Sequence, residues 1–136
     1  MTVRRKLTWK GQAAISRVRA ASSRGVEKVG RMLIQEYIRL IFDTPKTGRV
    51  YAGHKASAPG EAPASETGRL VNSFKLNIKP DLKTARAIVS NTADHARKLE
   101  FGTRRMLPRP FMLRGLMTIK DEALKKYGIE LRIALK

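Results

Sequence analysis

The chain has 136 residues, of which 42% are hydrophobic; that is one domain's length with enough apolar content for a core, which excludes two well-cored domains and disorder throughout. It carries 29 Lys and Arg against 11 Asp and Glu, a formal net charge of +18, and no cysteine. The charge calls for a polyanion or acidic protein surface to offset self-repulsion, and the missing thiols exclude a disulfide scaffold and thiolate metal sites.

Residues 1–10 read as a basic arm. No apolar run follows it and no stretch approaches a membrane span, so the protein is expected to stay where it is synthesised, with no membrane partner. A helix is predicted over 11–42, because Val26, Val29, Leu33, Tyr37, Leu40 and Ile41 recur at three- and four-residue steps. Gly25 marks either a break between two helices or a weak point in one. Asp43-Thr44-Pro45 ends the pattern, since proline disfavours the helical conformation in the residue before it.

Residues 44–68 form a long loop of small residues, prolines and glycines, with little that suits a core. A hairpin is predicted over 69–92. Phe74, Leu76 and Ile78 alternate against Lys75 and Asn77, a turn falls at Pro80-Asp81, and a second strand runs through Ala85, Ala87 and either Val89 or Ile88. A short helix is expected over 93–101, capped by Asn91 and closed by Gly102. Prolines on both sides of Arg109 hold the next piece extended. A helix over 110–127 then carries the stripe Met112, Leu116, Ile119, Ala123 and Tyr127. Residues 129–135 fit a strand by alternation, with a continued helix as the other reading, and periodicity does not decide between them.

Sparse aromatics, including one tryptophan at Trp9, leave packing to aliphatic side chains. The expected architecture is a single α+β domain: a small antiparallel sheet packed by a long N-terminal helix and a C-terminal helix, with a long extended loop. Catalytic signatures are missing. His54 and His95 lack metal-ligand spacing, no phosphate-binding glycine loop follows a strand, and Ser57 has no base placed by sequence. The sequence therefore predicts a non-enzymatic building block without cofactor or metal. Arg4 to Lys10, Arg17 to Arg31 and Arg104 to Arg109 could bind a nucleic-acid backbone without reading sequence. A sequence-independent nucleic-acid-binding protein is thus the alternative.

Two blocks narrow the choice. The first is Thr47-Gly-Arg-Val-Tyr51, His54-Lys-Ala-Ser-Ala-Pro-Gly-Glu-Ala-Pro63 and Glu66-Thr-Gly-Arg-Leu70, followed by Ser73. The second is Leu99-Glu-Phe-Gly-Thr103 with Met106-Leu-Pro-Arg-Pro-Phe-Met112. Together they resemble the tail-completion, or head–tail joining, proteins of long-tailed bacteriophages, typified by gene product ten of a lambdoid phage. One departure is His95, where the family commonly has an aromatic residue.

The resemblance implies a minor virion protein at the neck, assembled in the host cytoplasm, with an α+β fold and neither catalysis nor cofactor. Its implied partners are copies of itself in a ring, a head-side connector, a tail terminator or tail-tube protein, and the double-stranded DNA in the lumen. Six bodies of this chain's size, each with a radius of gyration of roughly 14 Å, leave a lumen of roughly 35 Å when closed into a ring.

The residues expected to meet a subunit or neighbour are Tyr51, His54, Ser57, Pro59, Gly60, Glu61, Pro63, Thr67, Gly68, Arg69, Glu100, Phe101 and Gly102. Lys55, Arg104, Arg105 and Arg109 are expected to face the DNA channel or an acidic partner. Phe101 and Phe111 are expected to anchor the second block in the core, leaving Glu100 and Arg109 available. The Glu100-Phe-Gly-Thr element either touches a subunit directly or only ends a helix and turns the chain.

Overall fold

The computed structural model describes residues 10–80 and 84–136; the arm through Trp9 and the predicted turn residue Asp81 lie outside that range. Helix α1 spans Gly11–Asp43, and two short strands, β1 (Val50–Tyr51) and β2 (His54–Lys55), lie within the loop that follows. The single turn α2 (Arg69–Asn72) precedes an antiparallel pair, β3 (Phe74–Pro80) and β4 (Ala85–Asn91). Helices α3 (Ala96–Phe101) and α4 (Met112–Leu135) complete an α+β fold with two small two-stranded sheets.

Helix α1 runs unbroken through Gly25, which decides between the two readings of that residue. The glycine is there because α4 crosses it: an added Cβ would lie 2.6 Å from the Tyr127 ring. Gly115 on α4 does the same for Tyr37, with an added Cβ 2.5 Å from that ring. Pairing 25 with 127 and 37 with 115 makes the helices antiparallel. Their distant ends are tied by a hydrogen bond of 2.8 Å between the Ser22 and Tyr127 hydroxyls and by Arg24 and Lys28 on Glu130. Helix α1 stops at Thr44, whose backbone is extended ahead of Pro45. The Thr44 hydroxyl and the Lys46 ammonium both donate to the Leu40 carbonyl, satisfying one of the open acceptors at the helix end.

The β3–β4 register sets Leu76 opposite Val89 and Ile78 opposite Ala87. One face packs on α1, and Lys75, Asn77, Lys79, Arg86, Ile88 and Ser90 face solvent. Val89, not Ile88, is therefore the inward residue. The core gathers Tyr37, Leu40, Ile41, Leu70, Ala96 and Phe111. Its centre is aromatic, contrary to the expectation of aliphatic packing. Tyr37, Phe74 and Phe111 meet with ring centroids 5.5 to 6.3 Å apart, two of the pairs edge-on. Burial, helped by the nearby charge of Glu100, pushes the Tyr37 phenol up to about 12.

Residues 129–135 are helical. Leu131 and Ala134 remain half-buried, while Ile129, Ile133 and Leu135 point to solvent. The alternation of apolar residues there wraps around the helix and does not mark a strand. The short helix starts at Ala96 with His95 as its flanking residue. Asn91 does not cap it; its side-chain oxygen accepts from the Ala93 amide, two residues on, and turns the chain out of β4.

Candidate functional site

The 44–68 segment contributes to the core, which corrects the reading of it as poor in core residues. Ala62 is 1% exposed, Ser57 is 4% exposed, and Pro63 is among the most fully enclosed side chains. Hydrophobicity gives no warning of this, because small residues bury by fit and not by apolar area. The carboxylate of Glu61 organises the segment. It accepts from the amides of Thr47 (3.0 Å) and Ala58 (2.8 Å) and from the Thr47 hydroxyl. The Thr47 hydroxyl, followed by the two amides, brings the Glu61 carboxyl down to about 2. Backbone bonds from Gly48 to Ala56 and from Ala56 to Arg49 close the base of the β1–β2 hairpin. Its tip, Ala52-Gly53, projects with Ala52 at φ 45°, a conformation that non-glycine residues seldom hold.

The second block folds onto the first. The Gly60 amide donates to the Pro108 carbonyl (3.0 Å), and the Arg114 guanidinium donates to the Gly60 carbonyl (2.7 Å). Glu100 accepts from three successive amides, Phe111, Met112 and Leu113, at 2.8, 3.0 and 2.9 Å. It thus caps the N-terminus of α4 from α3, where its charge also complements the helix dipole. Thr103 and Met106 bond each other across the Arg104-Arg105 turn, and the Arg109 amide donates to the Leu99 carbonyl (2.7 Å). Gly102, at φ 73°, has no space for a Cβ, which would lie 2.7 Å from the Met106 carbonyl oxygen.

Two expectations about this block are overturned, and Arg109 is only partly accessible. Phe111 anchors the core, but Phe101 is 74% exposed. Glu100 is not available to a partner, because α4 needs a cap that Phe111 at its N-terminus does not supply. Arg109 is half-buried. Its Nη1 lies 3.6 Å from the Met106 sulfur, and its Nε is enclosed without a hydrogen-bond partner among the described residues.

The remaining expected site residues divide by position. Tyr51 and Lys55 are exposed on the hairpin, with His54 half-buried beside them; Pro59 and Gly60 are exposed at the turn against Pro108. Arg104 and Arg105 are exposed on their turn. Thr67, Gly68 and Arg69 lead elsewhere, into α2. That turn is held by the Asn91 side chain on the Leu70 carbonyl (2.7 Å) and by the Ser73 hydroxyl on the Arg69 carbonyl (2.5 Å). Arg114, which locks the loop to α4, has no signal in sequence beyond its place in the helix's first turn.

Among the described residues, the carboxylates of Glu27, Glu36, Glu61, Glu100 and Glu130 are engaged within the chain. They leave the exposed cations with few acidic neighbours. Among the described residues no group of three His, Cys, Asp or Glu could hold a metal ion, and no helix is long and apolar enough to cross a membrane. A shallow apolar groove of about 500 Å³ opens elsewhere, where Val26, Val29 and Leu33 of α1 face Ala87 of β4 and Leu116 and Leu124 of α4. The chain thus offers a braced corner with a projecting hairpin, an apolar groove and a cationic surface. No protein-family model matches the chain, and neither does any curated protein or solved structure.

Proposed function

We propose that this is a structural virion protein of a tailed phage, one that completes the tail end and joins it to the filled head as part of a ring around the DNA channel. One observation carries the reading beyond the family resemblance of the two blocks. Although more than twenty residues separate them in sequence, the blocks meet in one corner, where Gly60 bonds both Pro108 and, at the start of α4, Arg114. A resemblance confined to two remote stretches makes physical sense if both build the same piece of surface.

In this reading the corner is a rigid bracket. It presents the β1–β2 tip, Phe101 and the Arg104-Arg105 turn to neighbours, with the head-side connector on one side and the tail terminator or tail tube on the other. Most exposed cations face acidic neighbouring proteins. A lumen lined by every cation of six copies would hold DNA by too many phosphate contacts for it to pass. Deleting the gene tests the proposal. Electron microscopy of lysates should show DNA-filled heads and separate tails, whereas joined virions in normal number would refute the neck role.

A second reading, a sequence-independent nucleic-acid-binding protein, is favoured by the same shortage of free carboxylates. It requires duplex binding that falls steeply with salt, as counterion release dictates, together with a null mutant that still joins heads to tails.

A further inference from the structure

Helix α4 is apolar on two sides, and only one of them is used. Gly115, Ile119 and Ala123 face the protein interior. A second stripe, Leu113, Met117, Leu124, Leu131 and Leu135, follows four- and seven-residue steps along another side. Leu113, Met117, Leu124 and Leu135 are 56%, 64%, 63% and 73% exposed, with Leu131 half-buried. The stripe runs about 33 Å at 1.5 Å per residue. At Leu124 it merges with the apolar groove between α1, β4 and α4.

We infer that this stripe and the groove beside it form the surface through which one copy of the chain meets the next. The inference rests on the ring reading above and names the contact that reading leaves open.

Area supports a second copy as the occupant. A compact monomer of 15.3 kDa should expose about 7,100 Å², and this chain exposes 10393 Å². Counting the twelve residues outside the described range (1–9 and 81–83) at the full area of extended chain, about 2,200 Å², and the rest as a compact body of about 6,600 Å², still leaves an excess of about 1,600 Å². A standard interface takes about 800 Å² from each partner, so the excess matches two contacts per subunit, as in a ring.

Charge points the same way. Copies bearing +18 repel one another and can meet only where the surface is neutral or acidic. Lys120 is the one charged residue within the stripe. Asp121, exposed at the edge of the stripe, makes no ion pair among the described residues. An acidic partner would instead find its complement on cationic faces such as Lys75, Lys79 and Arg86.

The test is sedimentation velocity of the purified full chain over a broad range of loading, in about 0.5 M salt, where the screening length of about 4 Å mutes the net charge. Wild type should rise with loading from 15.3 kDa to at least twice that mass. The Met117→Glu/Leu124→Glu variant should stay at the monomer mass with its helical circular dichroism unchanged. Wild type that remains monomeric at every loading, or a variant that associates as wild type does, overturns the inference. Should the double glutamate lose helical signal, Leu113→Gln/Leu135→Gln decides: association weakened tenfold or more supports the interface, and unchanged association rejects it. The readout uses only purified protein, so its failure leaves the virion proposal standing, and failure of the gene-deletion test leaves this contact standing.

Discussion

The two ends of the α1–α4 pair are held by different means. Near Gly115 a carboxylate from another element, Glu100, grips three backbone amides, and the buried ring of Tyr37 seats against the glycine. Near Gly25 the ties run between side chains: Ser22 to Tyr127, and Glu130 to two cations that are each more than half exposed. Backbone donors cannot be re-satisfied by a change of rotamer, whereas exposed side chains can swing to water. The braced end should be intolerant of substitution, and the far end should forgive it.

Glu100→Ala is the most damaging single change expected. It strands three amides at the start of α4 and should cost about 2–3 kcal/mol, read by urea denaturation. A loss below about 0.5 kcal/mol, the range of ordinary surface changes, would show that water replaces the carboxylate and would erase the contrast. The same glycine-to-alanine change at each end sharpens it. At Gly115 the new methyl meets Tyr37, which is locked against Phe74 and Phe111, so overpacking should outweigh the helix-propensity gain and cost about 1–2 kcal/mol net. At Gly25 the half-buried Tyr127 ring can turn aside, and the loss of one hydrogen bond, about 1 kcal/mol, is offset by a similar gain in propensity. Thermal melts of both variants should separate clearly, and equal shifts would contradict the comparison. Glu130→Gln should cost only about 0.5–1 kcal/mol and lose its effect at high salt.

Acid probes the corner alone. The Glu61 carboxyl titrates near 2 in the folded protein and near 4.5 when released. A depressed folded value contributes stability that is complete above about 4.5 and disappears as pH falls through 2. Amides of Thr47 and Ala58 should therefore stay protected from exchange at pH 3.5. Glu61→Gln should remove the dependence, and amides already exposed at pH 4 in wild type would refute the role given to Glu61.

What the sequence made legible follows the same division. Periodicity located α1, the β3–β4 hairpin and α4, because each buries one regular face and polar residues mark the other. The corner escaped it, since it depends on contacts between residues distant in sequence. Nothing local distinguishes Glu100, which caps a helix eleven residues later, from a solvated glutamate. Phe101 and Phe111 sit in similar company, yet one is exposed and the other fully buried. Ala62 and Pro63 enter the core on size alone. The stripe from Leu113 to Leu135 was present in the sequence but masked by the stronger core-facing pattern on the same helix.

The central claim is that the braced corner exists to present the β1–β2 tip to a neighbour. It is tested most directly by replacing the two exposed apolar residues of β1 that lead into that tip, Val50→Asp and Tyr51→Asp, which are 65% and 58% exposed and outside the core. Supplied in trans to a null mutant, the variant protein should melt like wild type but yield filled heads and unjoined tails by electron microscopy. A stably folded variant that restores joined, infectious particles to the wild-type number would contradict the account.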